Sequence, residues 1–120
     1  MNKRAQGAGA EDIAAGFLER RGYRILERNF RCRFAEIDII AEQDRTVCFI
    51  EVKSRCSDRA GSAAEAVDGA KQQRIARAAQ LYLQQQGLDD SPARFDVVAI
   101  SAVDGRQEIS LIEDAFEVQE

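Results

Sequence analysis

The chain has 120 residues and a mass of 13.4 kDa, which fits one domain over residues 1–120 and leaves no room for a second folded unit. Hydrophobic residues make up 45% and charged residues 32% of the chain, and histidine is missing. This composition excludes a disordered chain, a membrane span of roughly 18 apolar residues and His-based catalysis. The N-terminal segment lacks the pattern of a secretory signal, and the three cysteines form no C-x-x-C pair. We therefore expect a cytoplasmic protein with reduced thiols and no membrane contact.

The net charge of −4 is an average over two unlike parts of the chain. Residues 1–77 carry 15 basic and 12 acidic side chains, whereas residues 78–120 carry 2 basic and 9 acidic ones. Because the local sign of the charge decides what a polyanion meets, the first part leaves nucleic-acid binding open. A charge run is more often a solvated face, so composition alone does not decide the question. The densest basic segment contains Arg20, Arg21, Arg24, Arg28, Arg31 and Arg33.

The hydrophobic pattern predicts a helix followed by three strands. Apolar residues recur at helical spacing over residues 9–21, and Gly22 supplies a stop. Strand-like runs follow at residues 23–27, 35–41 and 46–53. Their short polar connections favour an antiparallel meander.

The second half of the pattern predicts a long helix and two further strands. A Ser-x-x-Glu capping box at residues 62–65 begins a short turn over residues 63–67. A helix over residues 69–86 follows it. A nearly apolar run at residues 95–101 predicts a strand buried on both faces, and residues 108–112 predict a weaker one. The whole order indicates a single α/β domain, one sheet with helices packed against it. The apolar stripe of the long helix consists of Ile75, Ala78, Ala79, Tyr82 and Leu83.

Acidic side chains fall on matching faces of the second and third predicted strands. Alternation places Glu36 and Asp38 on one face of the second strand, and Glu51 and Lys53 on one face of the third. Carboxylates that share a partly buried face repel, so one of them becomes hard to ionise unless a cation lies between them. Lys53 supplies one positive charge, which is too little for two or three acids. A divalent ion resolves the imbalance, and the missing histidines favour an oxygen-preferring ion such as Mg²⁺.

The register of this hairpin stays open at this point. A four-residue loop over residues 42–45 sets Asp38 diagonal to Glu51, whereas a loop closing at Gln43 and Thr46 sets the two directly opposite. Both registers keep the carboxylates on one face, about 5–8 Å apart at Cβ. A loop one residue longer or shorter sends them to opposite faces.

Charged residues around the hairpin are further candidates. Glu11 lies at the edge of the apolar stripe of the first helix, and Arg55 follows Lys53 on the same strand face, where it would hold a phosphate. The alternative interpretation is a solvent-exposed sheet face with ordinary cross-strand ion pairs. Such pairs contribute about 0–1 kcal/mol and imply no function.

Four motifs follow one another along the chain. They are G-x-x-x-E-D-x-A at residues 7–14, G-Y-x-I-L-x-x-N-F at residues 22–30, E-I-D-I-I at residues 36–40 and F-I-E-V-K-x-R at residues 49–55. Taken in order, these motifs closely resemble the YraN family of bacterial proteins. Ala66-Val67 with Lys71, and Arg94-Phe95-Asp96, extend the resemblance over nearly the whole chain.

That family resembles the restriction-endonuclease-like fold, also called PD-(D/E)xK, whose relatives include archaeal Holliday-junction resolvases. The resemblance implies an αβββαβ core with a mixed central sheet flanked by helices, and a metal-dependent phosphodiesterase. It implies that Asp38, Glu51 and Lys53 are catalytic and that Glu11 joins Asp38 and Glu51 in holding Mg²⁺ or Mn²⁺. Glu36 has no settled role in the pattern and is a secondary candidate. The candidates for nucleic-acid binding are Arg31, Arg33, Arg55 and Lys71.

The leading hypothesis is a nucleic-acid-binding protein with metal-dependent endonuclease character. DNA is the expected substrate, and branched or structured DNA follows by analogy with resolvases, which commonly act as homodimers. A second hypothesis is a catalytically inactive nucleic-acid-binding module on the same fold. A third is a protein-interaction domain that docks through its acidic end, residues 113–120.

Overall fold

The computed structural model describes residues 3–55 and 69–116. The predicted capping box at residues 62–65 and the turn over residues 63–67 lie outside these ranges. No helix in the described ranges is long and apolar enough to cross a membrane. The elements in chain order are α1 (Lys3–Arg20), β1 (Arg24–Arg31), β2 (Glu36–Gln43), β3 (Thr46–Arg55), α2 (Gly69–Gln85), β4 (Ala93–Val103) and β5 (Arg106–Ile112).

The five strands form one mixed sheet in the order β1-β2-β3-β4-β5. The first three strands pair antiparallel, as the short connections predicted, and β4 pairs antiparallel with β5. The central pair, β3 and β4, is parallel, because the chain returns through α2 and a parallel pair requires such a crossover. The prediction of an α/β fold with an αβββαβ core and a mixed sheet is confirmed.

The two helices pack on opposite faces of the sheet. Alternate residues of β2 and β3 divide between them, so Ile39 and Ile50 pack with Leu18 of α1, whereas Ile40 and Phe49 pack on the other face with α2. The predicted stripe of α2 is confirmed, since Ile75, Ala78, Ala79 and Tyr82 are buried and Leu83 packs beside them.

Both helices end where the sequence predicted, at a glycine with positive φ. Gly22 has φ 90°, and the N–H of Tyr23 donates to the carbonyl of Leu18 at 3.0 Å. Gly87 has φ 68°, and the N–H of Leu88 donates to the carbonyl of Leu83 at 2.8 Å. These are Schellman motifs, which satisfy the last carbonyls of a helix and need the left-handed conformation that glycine adopts without strain.

Strand β1 is longer than its apolar pattern predicted. Its second half reads Arg-Asn-Phe-Arg, with Asn29 at φ 56°, and contains one inward apolar residue. The strand continues because Phe30 pairs with Ile37 and Arg31 with Glu36 of β2. Pairing with a neighbouring strand outweighs a weak local preference here.

A hydrogen-bonded network around the buried Arg94–Asp96 ion pair of β4 connects this strand to Tyr23, just before β1. Asp96 is 1% exposed and accepts two hydrogen bonds from the Arg94 guanidinium, at 2.9 and 3.0 Å. The Tyr23 hydroxyl donates to the same carboxylate at 3.2 Å, and the N–H of Asp114 donates at 2.9 Å. Arg94 also reaches Gln43 of β2 at 3.1 Å. The network is fully hydrogen-bonded, which is the condition for a buried charge to be tolerated.

Candidate active site

A two-residue turn sets the register of the β2–β3 hairpin. Gln43 pairs with Thr46, and the intervening Asp44 and Arg45 have φ of 50° and 67°. Positive φ at both positions defines a type I′ turn, whose twist matches that of the strands it joins. The tighter of the two predicted loops is therefore the one observed.

This register brings the two central acids together. The observed pairs end at Ile39 with Ile50. Beyond them, the backbone of Val52, the residue after Glu51, contacts the Asp38 carboxylate, and the charge of Glu51 raises the pKa of Asp38. The two acids are therefore close to each other where the ladder ends.

Asp38 is half-buried, and one of its oxygens is held by the neighbouring strand. The N–H of Val52 donates to Oδ2 of Asp38 at 2.8 Å. Burial, followed by the charge of Glu51, raises the pKa of Asp38 to about 6, while the hydrogen bond from Val52 opposes the shift. The charges of Glu11 and Glu36 add smaller increases to this pKa. The carboxyl therefore lies in a region of excess negative charge.

Glu51 is held by two lysines. Its side chain is 11% exposed, and its Oε1 lies 2.8 Å from the Lys71 ammonium and 3.5 Å from that of Lys53. Burial lowers the pKa of Lys71, but hydrogen bonding and attraction to Glu51 outweigh it and raise the pKa above its usual value. Lys71 is a predicted phosphate-binding residue, and in the structure its ammonium contacts Glu51.

Glu11 approaches the site from α1 and is also near an arginine. Its Oε1 lies 3.8 Å from Arg28, whose guanidinium makes a closer pair with Asp12 at 2.7 Å. Because its charge raises the pKa of Asp38, Glu11 belongs to the same electrostatic cluster. Its longer separation from Arg28 leaves that pairing weak.

The donor set suits a hard divalent ion bound through few protein ligands. No group of three or more His, Cys, Asp or Glu side chains gathers at one point within residues 3–55 and 69–116. Mg²⁺ is commonly bound by one or two carboxylates, several waters and a substrate phosphate. Asp38 and Glu51 fit that pattern, although an ion at Glu51 would compete with Lys71 and Lys53.

The predicted nucleic-acid-binding residues lie in different surroundings. Arg31 pairs with Glu36 across β1 and β2 at 3.0 Å, on an exposed part of the sheet. Arg33 lies in the β1–β2 connection, with its guanidinium 4.9 Å from the ring centre of Phe34. Arg55 ends β3, and its side chain lies outside the described part. Within the described part of the chain, Arg31 and Arg33 therefore contact Glu36 and Phe34.

Fold and site together define a small α/β domain of nuclease-like architecture with paired acids on its central hairpin. Residues 10–100 match the family described as Uncharacterised protein family UPF0102. A UPF0102 protein of Syntrophus aciditrophicus is 54% identical over 108 residues, covering 90% of this chain and 85% of the relative. A UPF0102 protein of Symbiobacterium thermophilum is 48% identical over 97% of this chain and 98% of its own. The chain belongs to the UPF0102 (YraN) family, which confirms the resemblance seen in its motifs.

Proposed function

We propose that the protein binds nucleic acid, DNA in particular, and hydrolyses phosphodiester bonds with Mg²⁺ or Mn²⁺. The observation that carries the proposal is the closeness of two half-buried acids on the central hairpin: the N–H of Val52, next to Glu51, donates to Asp38 at 2.8 Å, and the charge of Glu51 raises the pKa of Asp38. Perturbed carboxylates concentrate at functional sites, because such an arrangement costs stability and is retained when it serves chemistry.

In this proposal each residue of the hairpin has a distinct part. Asp38 and Glu51 would hold the ion, which would supply Lewis acidity and lower the pKa of a bound water. Lys53, beside Glu51 at 3.5 Å, orients the attacking water or stabilises charge that develops on the phosphate. Glu11 adds negative charge next to Asp38, directly or through water, and Glu36 remains a secondary candidate. Arg55, two residues beyond Lys53 on β3, holds an adjacent phosphate.

The charge balance around Asp38 supports an ion at this place. Lys53 and Lys71 both contact Glu51. Asp38 accepts a hydrogen bond from the backbone N–H of Val52, and its pKa still rises to about 6. A divalent ion would supply the charge that stabilises the ionised carboxylate.

A cleavage assay with branched, duplex and single-stranded DNA in Mn²⁺ tests the proposal. We expect cleavage by the wild type and a loss of about 10²-fold or more in D38N and K53M, the size typical of a group that acts on the reacting atoms. R106Q, on the exposed edge strand β5, serves as a control and should cleave like the wild type. An inactive wild type, or equal cleavage by all four proteins, would refute the nuclease proposal.

A second candidate is a nucleic-acid-binding module without turnover. The ion pairs from Lys71 and Lys53 to Glu51 favour it, because they already neutralise one of the two acids. Calorimetry separates the candidates: salt-sensitive DNA binding without heat on titration with Mn²⁺ supports the module. Saturable Mn²⁺ uptake that D38N abolishes supports the nuclease.

We further propose that the protein acts in the cytoplasm as a homodimer, as the resemblance to resolvases implies. Two acid pairs related by a two-fold axis would meet two strands of one DNA molecule. Sedimentation equilibrium with and without branched DNA tests the assembly, and a monomer in both conditions rejects it.

The docking alternative concerns the acidic end of the chain. The N–H of Ala115 donates to the carbonyl of Phe95 at 2.7 Å, and Phe116 stacks on Phe95 with ring centres 5.0 Å apart. Residues 113–116 thus pack back on β4, which reduces the part of this segment open to a partner, while residues 117–120 lie outside the described part.

A further inference from the structure

A basic cleft lies between the β1–β2 connection and the first half of α2. Its volume is about 340 Å³. Among the described residues that line it, three are arginines and none is acidic. The lining consists of Arg33, Phe34, Ala70, Gln73, Arg74 and Arg77.

The positive charge of the cleft is uncompensated within the described chain. Arg33, Arg74 and Arg77 are exposed, and none has a carboxylate within ion-pair distance in residues 3–55 and 69–116. By contrast, Arg24 and Arg31 both face a carboxylate across the β1–β2 ladder. Three like charges held together repel one another, so an anion that enters the cleft is stabilised by all of them.

An aromatic ring gives the arginines a fixed support. The guanidinium of Arg33 lies 4.9 Å and that of Arg77 5.9 Å from the ring centre of Phe34. Phe34 packs against the core cluster that includes α2, and this packing restricts the position of its ring. Cation–π contacts of this kind restrict the guanidinium groups before any ligand arrives, which reduces the entropy lost on binding.

The cleft is joined to the acid pair by one side of α2. Lys71, Arg74 and Arg77 recur every three residues and lie along one side of the helix. They span about 9 Å at a rise of 1.5 Å per residue. Since Lys71 contacts Glu51 at 2.8 Å, a chain of cations leads from the cleft to the candidate active site.

We propose that this cleft binds the phosphates of one nucleic-acid strand and directs that strand along α2 toward Asp38 and Glu51. The proposal rests on the proposed function for the identity of the polyanion. Guanidinium groups match phosphate oxygens in a bidentate way, and a positive groove that tracks the backbone is how proteins hold single strands. Arg33 was a predicted contact, and Arg74, Arg77 and Phe34 complete the surface.

Binding of a labelled single-stranded 20-mer in EDTA, followed from 50 to 200 mM salt, tests the proposal. The triple variant R33Q/R74Q/R77Q should lower the magnitude of the slope of log affinity against log salt by about 2, since each single-strand phosphate contact contributes about 0.7. The loss of the same three phosphate contacts should lower the affinity at 0.1 M salt roughly 100-fold. The control R20Q/R45Q/R106Q removes the same charge from exposed positions elsewhere and should change the slope by less than half as much.

The outcomes separate the two proposals. A wild type that binds, with equal slopes for both triple variants, overturns the cleft and leaves the proposed function standing. A wild type that does not bind the 20-mer at any salt overturns the cleft, and the cleavage assay in Mn²⁺ then decides the proposed function separately. Should the cleft variant fail to fold by circular dichroism, R74Q alone decides: a slope lower by about 0.7 supports the cleft, and an unchanged slope rejects it.

Discussion

Oδ2 of Asp38 accepts a hydrogen bond from the backbone N–H of Val52 at 2.8 Å, across the two strands of the central hairpin. The bond lies just beyond the last observed backbone pair, Ile39 with Ile50. The Asp38 side chain thus accepts a main-chain hydrogen bond where the backbone ladder ends. This bond holds the Asp38 carboxylate near Glu51 in spite of the repulsion between the two acids. This backbone hydrogen bond fixes the position of the Asp38 carboxylate.

Asparagine at position 38 should stabilise the protein at alkaline pH. The folded-state pKa of about 6 lies above the usual 3.8, so folding favours the protonated acid. The stability that protonated Asp38 contributes to the folded protein is fully present below about pH 4 and is lost as pH rises through 6. Between pH 4 and pH 8 the free energy of unfolding of D38N should therefore rise by up to roughly 3 kcal/mol relative to that of the wild type. The weaker hydrogen bond from Val52 to asparagine reduces this gain.

Urea unfolding in EDTA at the two pH values measures this difference. E42Q, in an exposed pair with Arg24, is the control and should show a much smaller dependence. A D38N variant whose advantage is the same at pH 4 and pH 8 would mean that Asp38 titrates normally in the folded protein.

Removing the Lys71 ammonium should strengthen metal binding. Lys71 lies closer to Glu51 than Lys53 does, 2.8 Å against 3.5 Å, and competes with any cation at that oxygen. We expect K71M to bind Mn²⁺ about tenfold more tightly by calorimetry, which corresponds to about 1.4 kcal/mol. K71R keeps the charge and should bind as the wild type does. Equal or weaker binding by K71M would show that Lys71 does not compete for Glu51.

The buried network around Asp96 should be the most sensitive polar feature of the fold. Arg94→Met leaves the fully buried Asp96 carboxylate without its cation and should cost about 3–5 kcal/mol of unfolding free energy. Arg24→Gln breaks an exposed pair and should cost 1 kcal/mol or less. Chemical denaturation at pH 7 compares the two. Similar losses for both variants would mean that the Asp96 pair is no stronger than a surface contact.

The turn of the central hairpin is not optimal and should be improved by glycine. Arg45 has φ 67°, a left-handed conformation that costs a residue with a Cβ about 1 kcal/mol or more. R45G should therefore stabilise the protein by about 0.5–1 kcal/mol in thermal or urea unfolding, after the greater chain entropy of glycine is subtracted. R106G, at a strand position with ordinary φ, should destabilise it. A loss of stability in R45G would contradict the type I′ assignment.

The closeness of the two central acids could be predicted from local pattern. Strand periodicity predicts Asp38 and Glu51 near each other for both loop lengths that we considered, and the effect of the Glu51 charge on the pKa of Asp38 agrees with this closeness. The choice of register could not be predicted, because Asp44-Arg45 is not one of the sequences that favour a type I′ turn. The sheet overrides the preference of these two residues.

Contacts that depend on the position of α2 could not be predicted. Lys71 reaches Glu51, and Arg77 reaches Phe34, because the crossover helix packs at a particular angle on the sheet. Sequence spacing places such residues on one side of a helix and says nothing of what that side meets. Arg94 and Asp96 left a detectable signal, since an acid in an apolar strand with an arginine two residues earlier indicates a pair on one face.

The parallel pairing of β3 with β4 has a consequence for the order of folding. The β2–β3 hairpin closes a two-residue loop, whereas Val47 meets Ala93 only after the intervening chain has crossed over, and closing a long loop is slower. The two acids and Lys53 thus belong to the element that forms early, whereas Lys71, the cation nearer to Glu51, arrives with the crossover helix.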